Sequence, residues 1–130
     1  MLEHITPQKE LKKEAEEIQA FLEITVGDDP EEIVSRGNDL AVYISRTGKM
    51  LADARAHLDL KKKSTIMEQL RGIGLKLNIP ATTLNELIKS SCQDENYLLT
   101  WVERLNRTSV HQLDWCRTLI SKLKEELKYS

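Results

Sequence analysis

The chain has 130 residues, with 40% hydrophobic and 31% charged side chains and a formal net charge of −2. This length fits a single helical domain over residues 1–130, and the composition excludes a disordered chain. Five glycines and three prolines are too few turn formers for a many-stranded sheet. The near-neutral charge gives no overall attraction to nucleic acid or to an anionic membrane.

Apolar runs and cysteines disfavour two further classes of protein. No stretch approaches the roughly 20 apolar residues that span a bilayer, and the first residues lack the apolar run of a secretory signal. Cys92 and Cys116 have neither metal-ligand spacing nor the density of a small secreted scaffold. We therefore expect a soluble cytoplasmic protein without a membrane partner, whose thiols stay reduced in the core or at an interface.

The first helix is predicted to begin at Thr6 and Pro7. The threonine hydroxyl can accept a free N–H there, and proline suits the first helical position. The apolar residues that follow at helical spacing are Leu11, Ala15, Ile18 and Leu22. Steps of four and three place them on one face, which we expect to be buried.

The strongest helix start in the chain lies at Asp29 and Pro30, because Asp29 and Glu32 can cap exposed donors reciprocally. Apolar or small residues then recur at steps of four and three, which predicts a long helix over 30–60. They are Ile33, Gly37, Leu40, Ile44, Gly48, Leu51, Arg55 and Leu58, of which only Arg55 is large and polar. The small residues that predict close packing against a partner helix are Gly37, Ala41, Gly48, Ala52, Ala54 and Ala56.

The pattern loses phase at Leu60–Lys63, and this leaves two alternatives. Either the chain turns a corner, with Ser64 capping a short helix that ends near Gly72 or Gly74, or one very long helix continues through a stutter. The apolar residues of that segment are Ile66, Met67 and Leu70.

Two helices are predicted in the remainder of the chain. Pro80 prevents a continuous helix through the residues before it, and Thr83 with Glu86 forms another reciprocal cap. The inward residues of this short helix are Leu84, Leu87 and Ile88. From Asp94 the helical spacing continues without glycine or proline, which predicts a second long helix over 94–128.

These elements predict an all-α fold, an up-and-down helical bundle. Its two long antiparallel helices span about 30–60 and 94–128, and shorter helices cover part of their length. Because that cover is incomplete, we expect a second subunit to bury the rest, and the commonest closed assembly is a two-fold homodimer.

Polar residues follow both long helices one position away from the apolar stripe. They include Arg46, Asp53 and His57 on the first helix and Arg104, His111 and Asp114 on the second. If the two helices run antiparallel with level centres, Asp53 faces Arg104 and Arg46 faces Asp114. We interpret these residues as interhelical ion pairs that fix the register. The alternative is a polar groove for an anionic or peptide ligand.

The sequence carries no constellation typical of catalysis. In the register above, His57 and His111 lie about 20 Å apart along the bundle, too far to share a metal. No histidine shares a helix face with a cysteine, and Gly72 and Gly74 lack the third glycine of a phosphate-binding loop. We therefore expect no catalytic residues, no metal and no cofactor, and predict that the protein is not an enzyme.

The stretch GLKLNIPATTLNELI, from Gly74 to Ile88, resembles a helix-turn-helix, although Asn78 stands where that family usually has glycine. In the family the second helix enters the major groove with its early residues. The resemblance implies DNA contacts by Thr82, Thr83 and Asn85, with Lys61, Lys62, Lys63, Lys76 and Lys89 available for phosphates. The alternative is an ordinary helical corner.

The last third of the chain contains SCQDENYLLTWVERLNRTSVHQLDW, which is similar to small uncharacterised helical proteins carried by bacterial prophages. That resemblance implies a DNA-associated accessory role. We interpret Tyr97, Trp101 and Trp115 as core or interface anchors rather than platforms for stacked bases. Two hypotheses result: a non-enzymatic interaction or scaffolding protein that self-associates or, as the alternative, a dimeric DNA-binding accessory protein.

Overall fold

The structure is a computed structural model that describes residues 4–73 and 80–129. Across those two ranges the chain forms four helices and no strand. They are α1 (Gln8–Leu22), α2 (Pro30–Ile73), α3 (Ala81–Ser91) and α4 (Gln93–Lys128). The prediction of an all-α fold is confirmed, and α4 begins one residue before its predicted start.

Helix α1 buries the predicted face, since Leu11, Ala15, Ile18 and Leu22 all lie in the core. The predicted cap by the Thr6 hydroxyl is wrong. Pro7 occupies the N-cap position without a side-chain hydrogen bond, and its carbonyl accepts the N–H of Leu11 at 3.0 Å. The main chain of Thr6 is instead bound by side chains of α2, which sets the angle at which the chain enters α1.

Helix α2 begins as predicted after Asp29, whose carboxylate Oδ1 accepts the N–H of Glu31 at 3.3 Å. The Glu32 side chain does not complete the predicted reciprocal cap with Asp29. The carboxylate of Glu32 extends back to Gly27, where an added Cβ atom would collide with it. Gly27 therefore gives the Glu32 side chain its space.

Helix α2 continues unbroken through Lys61–Ser64 to Ile73, so the corner is wrong and the very long helix is correct. Its 44 residues extend about 66 Å. Lysine is a good helix former, and Thr65 is buried with its hydroxyl 2.8 Å from that of Ser91 in α3. This contact holds the helix where the apolar pattern loses phase.

The core face of α2 is rotated from the predicted stripe. Ile33, Leu40 and Leu58 are buried as expected, whereas Gly48 and Arg55 are exposed. The positions that take their place in the core are Thr47, Met50 and Ala54. The predicted close packing at small residues is therefore confirmed at Gly37 but not at Gly48. A Cβ atom at Gly37 would contact Leu113 at 3.6 Å, while no described atom lies within 4 Å of one at Gly48.

Helix α3 begins at Ala81 with Pro80 at its N-cap, so the predicted cap by Thr83 and Glu86 is wrong. Proline already supplies the dihedral angle that starts a helix, which makes a later start unnecessary. Leu84 and Ile88 are half-buried, but Leu87 is exposed, contrary to the prediction. A non-helical residue, Cys92, separates α3 from α4.

The most extensive packing between helices in the described fold is that of α2 against α4. Gln112 lies against Arg36, Asn106 against Thr47 and Glu103 against Arg55. Helix α1 covers both of these helices along part of their length and bonds to α4 through Gln8–Glu95 and Gln19–Trp101. None of the helices in residues 4–73 and 80–129 is apolar enough over a sufficient length to cross a membrane.

Candidate functional site

The polar stripe of α2 binds the segment that precedes α1. Asp53 Oδ2 accepts the N–H of Thr6 at 3.2 Å, and His57 Nε2 donates to the Thr6 carbonyl at 2.7 Å. Lys49 donates to Asp53 Oδ1 at 2.5 Å. Burial alone would raise the pKa of Asp53, but the hydrogen bonds from Lys49 and Thr6 and the charge of Lys49 together lower it. This cluster is a tether for the start of α1.

A second α2 residue of that stripe also turns to α1. Arg46 forms a two-pronged ion pair with Glu14, with N–O distances of 2.6 and 2.5 Å. The hydrogen bond to Glu14 raises the pKa of Arg46, and burial partly opposes it. Fork-to-fork pairing of this kind fixes the orientation of both side chains.

The predicted interhelical pairs are therefore wrong. Asp53 and Arg46 bind α1 or the segment before it, because that segment lies on the polar stripe of α2 where α4 was expected. On the other helix Asp114 pairs with Arg117 at 3.2 Å, and His111 and Arg104 are exposed. Among the described residues, no group of three or more His, Cys, Asp and Glu side chains is placed to hold a metal ion.

The residues expected to contact DNA lie on the far part of α2 and on α3. Lys61, Lys62 and Lys63 are exposed, and consecutive helical residues point about 100° apart, so they do not form one flat patch. On α3, Thr82, Thr83, Asn85 and Lys89 are all exposed. Lys76 and the first part of the helix-turn-helix-like stretch, residues 74–79, lie outside the described residues.

We define the two-helix tip as residues 59–73 of α2 together with α3. Beyond His57 no hydrogen bond among the described residues joins α2 to α1 or to the segment before it. All eleven residues of Ala81–Ser91 are described, and none of them is buried. Among the tip side chains that the structure describes, five large apolar ones are exposed: Leu60, Ile66, Met67, Leu70 and Leu87. An exposed apolar cluster of this kind is typical of an interaction surface.

Two adjoining clefts follow the seam between α1 and α4, and both include Leu22 and Glu23. The larger, of about 430 Å³, is lined by Tyr97, Trp101 and Arg104. Trp101 donates its indole N–H to Gln19 Oε1 at 3.1 Å. The Tyr97 ring is tilted against the Trp101 ring, with 6.1 Å between the ring centroids. Trp101 is thus the half-buried anchor that the sequence predicts, whereas Tyr97 is largely exposed.

The smaller cleft, of about 260 Å³, is called here the Arg36 cleft. Its lining includes Leu22, Ile24, Val26, Arg36, Trp115 and Cys116. The guanidinium of Arg36 lies 4.0 Å above the Phe21 ring and donates to Gln112 Oε1 at 2.8 Å. Burial raises the pKa of the Cys116 thiol, and the nearby charge of Arg36 partly offsets that rise.

Arg36 follows the helical spacing of Arg46 and Asp53, but no local sequence signal marks it as a site residue. Helical spacing offers Glu32 and Asp39 as its partners, and neither pairs with it among the described residues. Its burial depends on the position of α1, which no local pattern encodes. Cys92 and Cys116 are both buried and unbonded to each other, as predicted.

Comparison with protein-family models, with curated proteins and with solved structures gives no match to this chain. The described helices define the chain as an all-α helical protein.

Proposed function

We propose that this chain is a non-enzymatic helical interaction protein that self-associates through the two-helix tip. One observation carries the proposal, namely the exposed apolar cluster of five side chains on that tip. A helix pair covers only part of the circumference of each helix, so further helices are needed to remove such a cluster from water. Burial of apolar surface is the main favourable term in most protein association.

The partner we propose is a second copy of the chain. Two helix pairs related by a two-fold axis form a four-helix arrangement, in which each pair covers the other. The α2 part of the tip carries charges of both signs, with Asp59 and Glu68 among the basic side chains. A surface that meets its own copy needs such a mixture, because like charges would otherwise face each other.

Within one chain we propose an up-and-down bundle with α2 and α4 antiparallel. The order of the contacts supports it. Arg36, Thr47 and Arg55 follow each other along α2, and their partners on α4 are Gln112, Asn106 and Glu103, in descending order. This arrangement leaves α3 alone to cover the far part of α2.

Sedimentation equilibrium of the full chain tests self-association. We expect a dimer, and we expect Leu70→Asp to dissociate it, because an unpaired charge in an apolar interface costs several kcal/mol. Leu70 is 55% exposed in the single chain, so the helical circular dichroism of the variant should be retained. The matched control is Val42→Asp, a 61% exposed residue of the same helix outside the tip.

Two outcomes would overturn the proposal. One is a wild-type chain that sediments as a monomer at every concentration reached. The other is a dimer that Val42→Asp dissociates and Leu70→Asp leaves intact, because the interface would then lie elsewhere on α2.

A second candidate function is DNA binding through the helix-turn-helix-like stretch, as a DNA-associated accessory protein. The observation that favours it is an exposed face of α3 that carries Thr82, Asn85 and Lys89 at spacings of three and four. Fluorescence anisotropy of a labelled duplex should rise on binding and fall steeply with salt. Replacing the three lysines at 61–63 by alanine should flatten that salt dependence, and unchanged anisotropy at low salt would remove this candidate.

A further inference from the structure

We infer that the Arg36 cleft binds a small monocarboxylate with an apolar chain. Arginine is always charged in proteins, and a buried charge is unfavourable unless it is paired. Arg36 is 8% exposed. The four ion pairs among the described residues do not include it, and its protein partners are an amide oxygen and an aromatic ring. Both partners are neutral, so Arg36 forms no ion pair within residues 4–73 and 80–129.

The guanidinium also keeps hydrogen-bonding capacity for a ligand. Arginine has five N–H donors, and the hydrogen bond to Gln112 uses one of them through Nη2. No buried side-chain nitrogen or oxygen in the described part of the chain lacks a partner. Nε and Nη1 of Arg36, which form no hydrogen bond among the described residues, are therefore not fully enclosed, and Arg36 lines the cleft. Two parallel N–H groups match a carboxylate, and this pairing is among the strongest in proteins.

The rest of the lining selects the chain that the carboxylate carries. Leu22, Ile24, Val26 and Trp115 give the cleft apolar walls, which favour an aliphatic or aromatic group beside the acid. The volume of about 260 Å³ limits the ligand to a small molecule or to the end of a peptide. Glu23, an exposed residue of the same lining, would repel a second negative charge, so a monocarboxylate fits better than a dicarboxylate.

A free acid and the C-terminal residue of a peptide offer the same chemistry, and two probes distinguish them. Octanoate represents the free acid, and acetyl-alanyl-leucine represents the peptide end. Each is titrated into the full chain by isothermal titration calorimetry, next to its uncharged amide. We expect at least one acid to bind about tenfold or more tightly than its amide, because only the acid can pair with Arg36.

The variant Arg36→Met should weaken binding of that acid about tenfold or more, since it removes the charge but keeps an unbranched side chain. Arg104→Met is the matched control, because Arg104 is an exposed arginine of the adjoining cleft. It should leave the affinity unchanged. The indole N–H resonance of Trp115 should shift on binding, while that of Trp101 stays in place.

Three results would overturn the inference. They are equal binding of the acids and their amides, equal weakening by Arg36→Met and Arg104→Met, or no binding of either acid at millimolar concentration. The comparison of acid with amide uses the unaltered chain, so it stands even if Arg36→Met fails to fold. An Arg36 whose role is only to orient α1 through Phe21 and Gln112 would give the third result.

Discussion

The two ends of α2 lie in different surroundings, although they belong to one continuous helix. We call the trunk the part of the fold where α1 lies against α2 and α4. In the trunk α2 buries Leu40, Met50 and Ala54, whereas the large apolar side chains described for α2 in the two-helix tip, up to Leu70, are exposed. Helix propensity is not the cause, since both parts are fully helical. The cover supplied by α4 together with α1 decides which side chains of α2 enter a core.

Leu40 and Leu60 provide the most direct measure of this difference. Leu40 is 0% exposed and Leu60 is 42% exposed. We expect Leu40→Ala to lower the free energy of unfolding by about 2–5 kcal/mol through lost burial and a cavity. Leu60→Ala should lower it by about 1 kcal/mol or less. Urea denaturation of both variants, followed by circular dichroism, gives the two values.

Equal losses for the two variants would mean that the trunk and the tip are equally covered in solution. Self-association through the tip makes a further distinction. The loss for Leu60→Ala should then grow with protein concentration, because the dimer stabilises the folded chain by mass action.

Removing the Asp53 carboxylate, which tethers the start of α1, should lower the free energy of unfolding by an intermediate amount that depends on pH. Asp53→Asn should lower the free energy of unfolding by about 1–3 kcal/mol at neutral pH, since it removes a charged acceptor from two hydrogen bonds. The folded-state pKa of Asp53 is lowered, so its contribution is present above the unfolded-state pKa of about 3.8 and is lost as the pH falls through the folded-state value.

Urea denaturation as a function of pH checks this expectation. The difference between wild type and Asp53→Asn should shrink on acidification. Asp114→Asn is the control, because Asp114 is exposed and pairs only within its own helix, and its effect should stay below about 0.5 kcal/mol. A difference for Asp53→Asn that stays constant down to acid pH contradicts the tether.

A small, local effect is expected at the hydrogen bond between the side chains of Thr65 in α2 and Ser91 in α3. Thr65→Val should cost about 1 kcal/mol and act locally. Amide hydrogen exchange in α3 should become faster, while exchange at Leu98–Leu105 in the trunk should be unchanged. Thr47→Val, which removes the hydroxyl that accepts from Asn106 in the trunk, should instead accelerate exchange throughout. Identical exchange patterns for the two variants would contradict a separately opening tip.

Local chemistry predicted much of the fold. The spacing of Leu11, Ala15, Ile18 and Leu22 gave the buried face of α1, and the Asp29 side chain does cap the start of α2. These signals lie within a few residues of the feature that they specify. The continuation of α2 past Lys61 was harder to predict, because the apolar pattern loses phase there while the helix continues to Ile73.

The contacts between elements could not be predicted in the same way. Arg46 and Asp53 were assigned partners on α4, but α1 and its preceding segment supply them. One sequence does not state which helix lies on which flank of α2. The Arg36 cleft was missed for the same reason, since it exists only where the end of α1 meets both long helices.

The length of α2 sets a distance between the two proposed surfaces. Arg36 and Leu70 lie on the same helix about 51 Å apart along its axis. A ligand in the cleft and a second chain at the tip would therefore not touch. In a tip-to-tip dimer α2 would hold the two ends of each chain apart. The particle would be elongated, with one Arg36 cleft near each outer end.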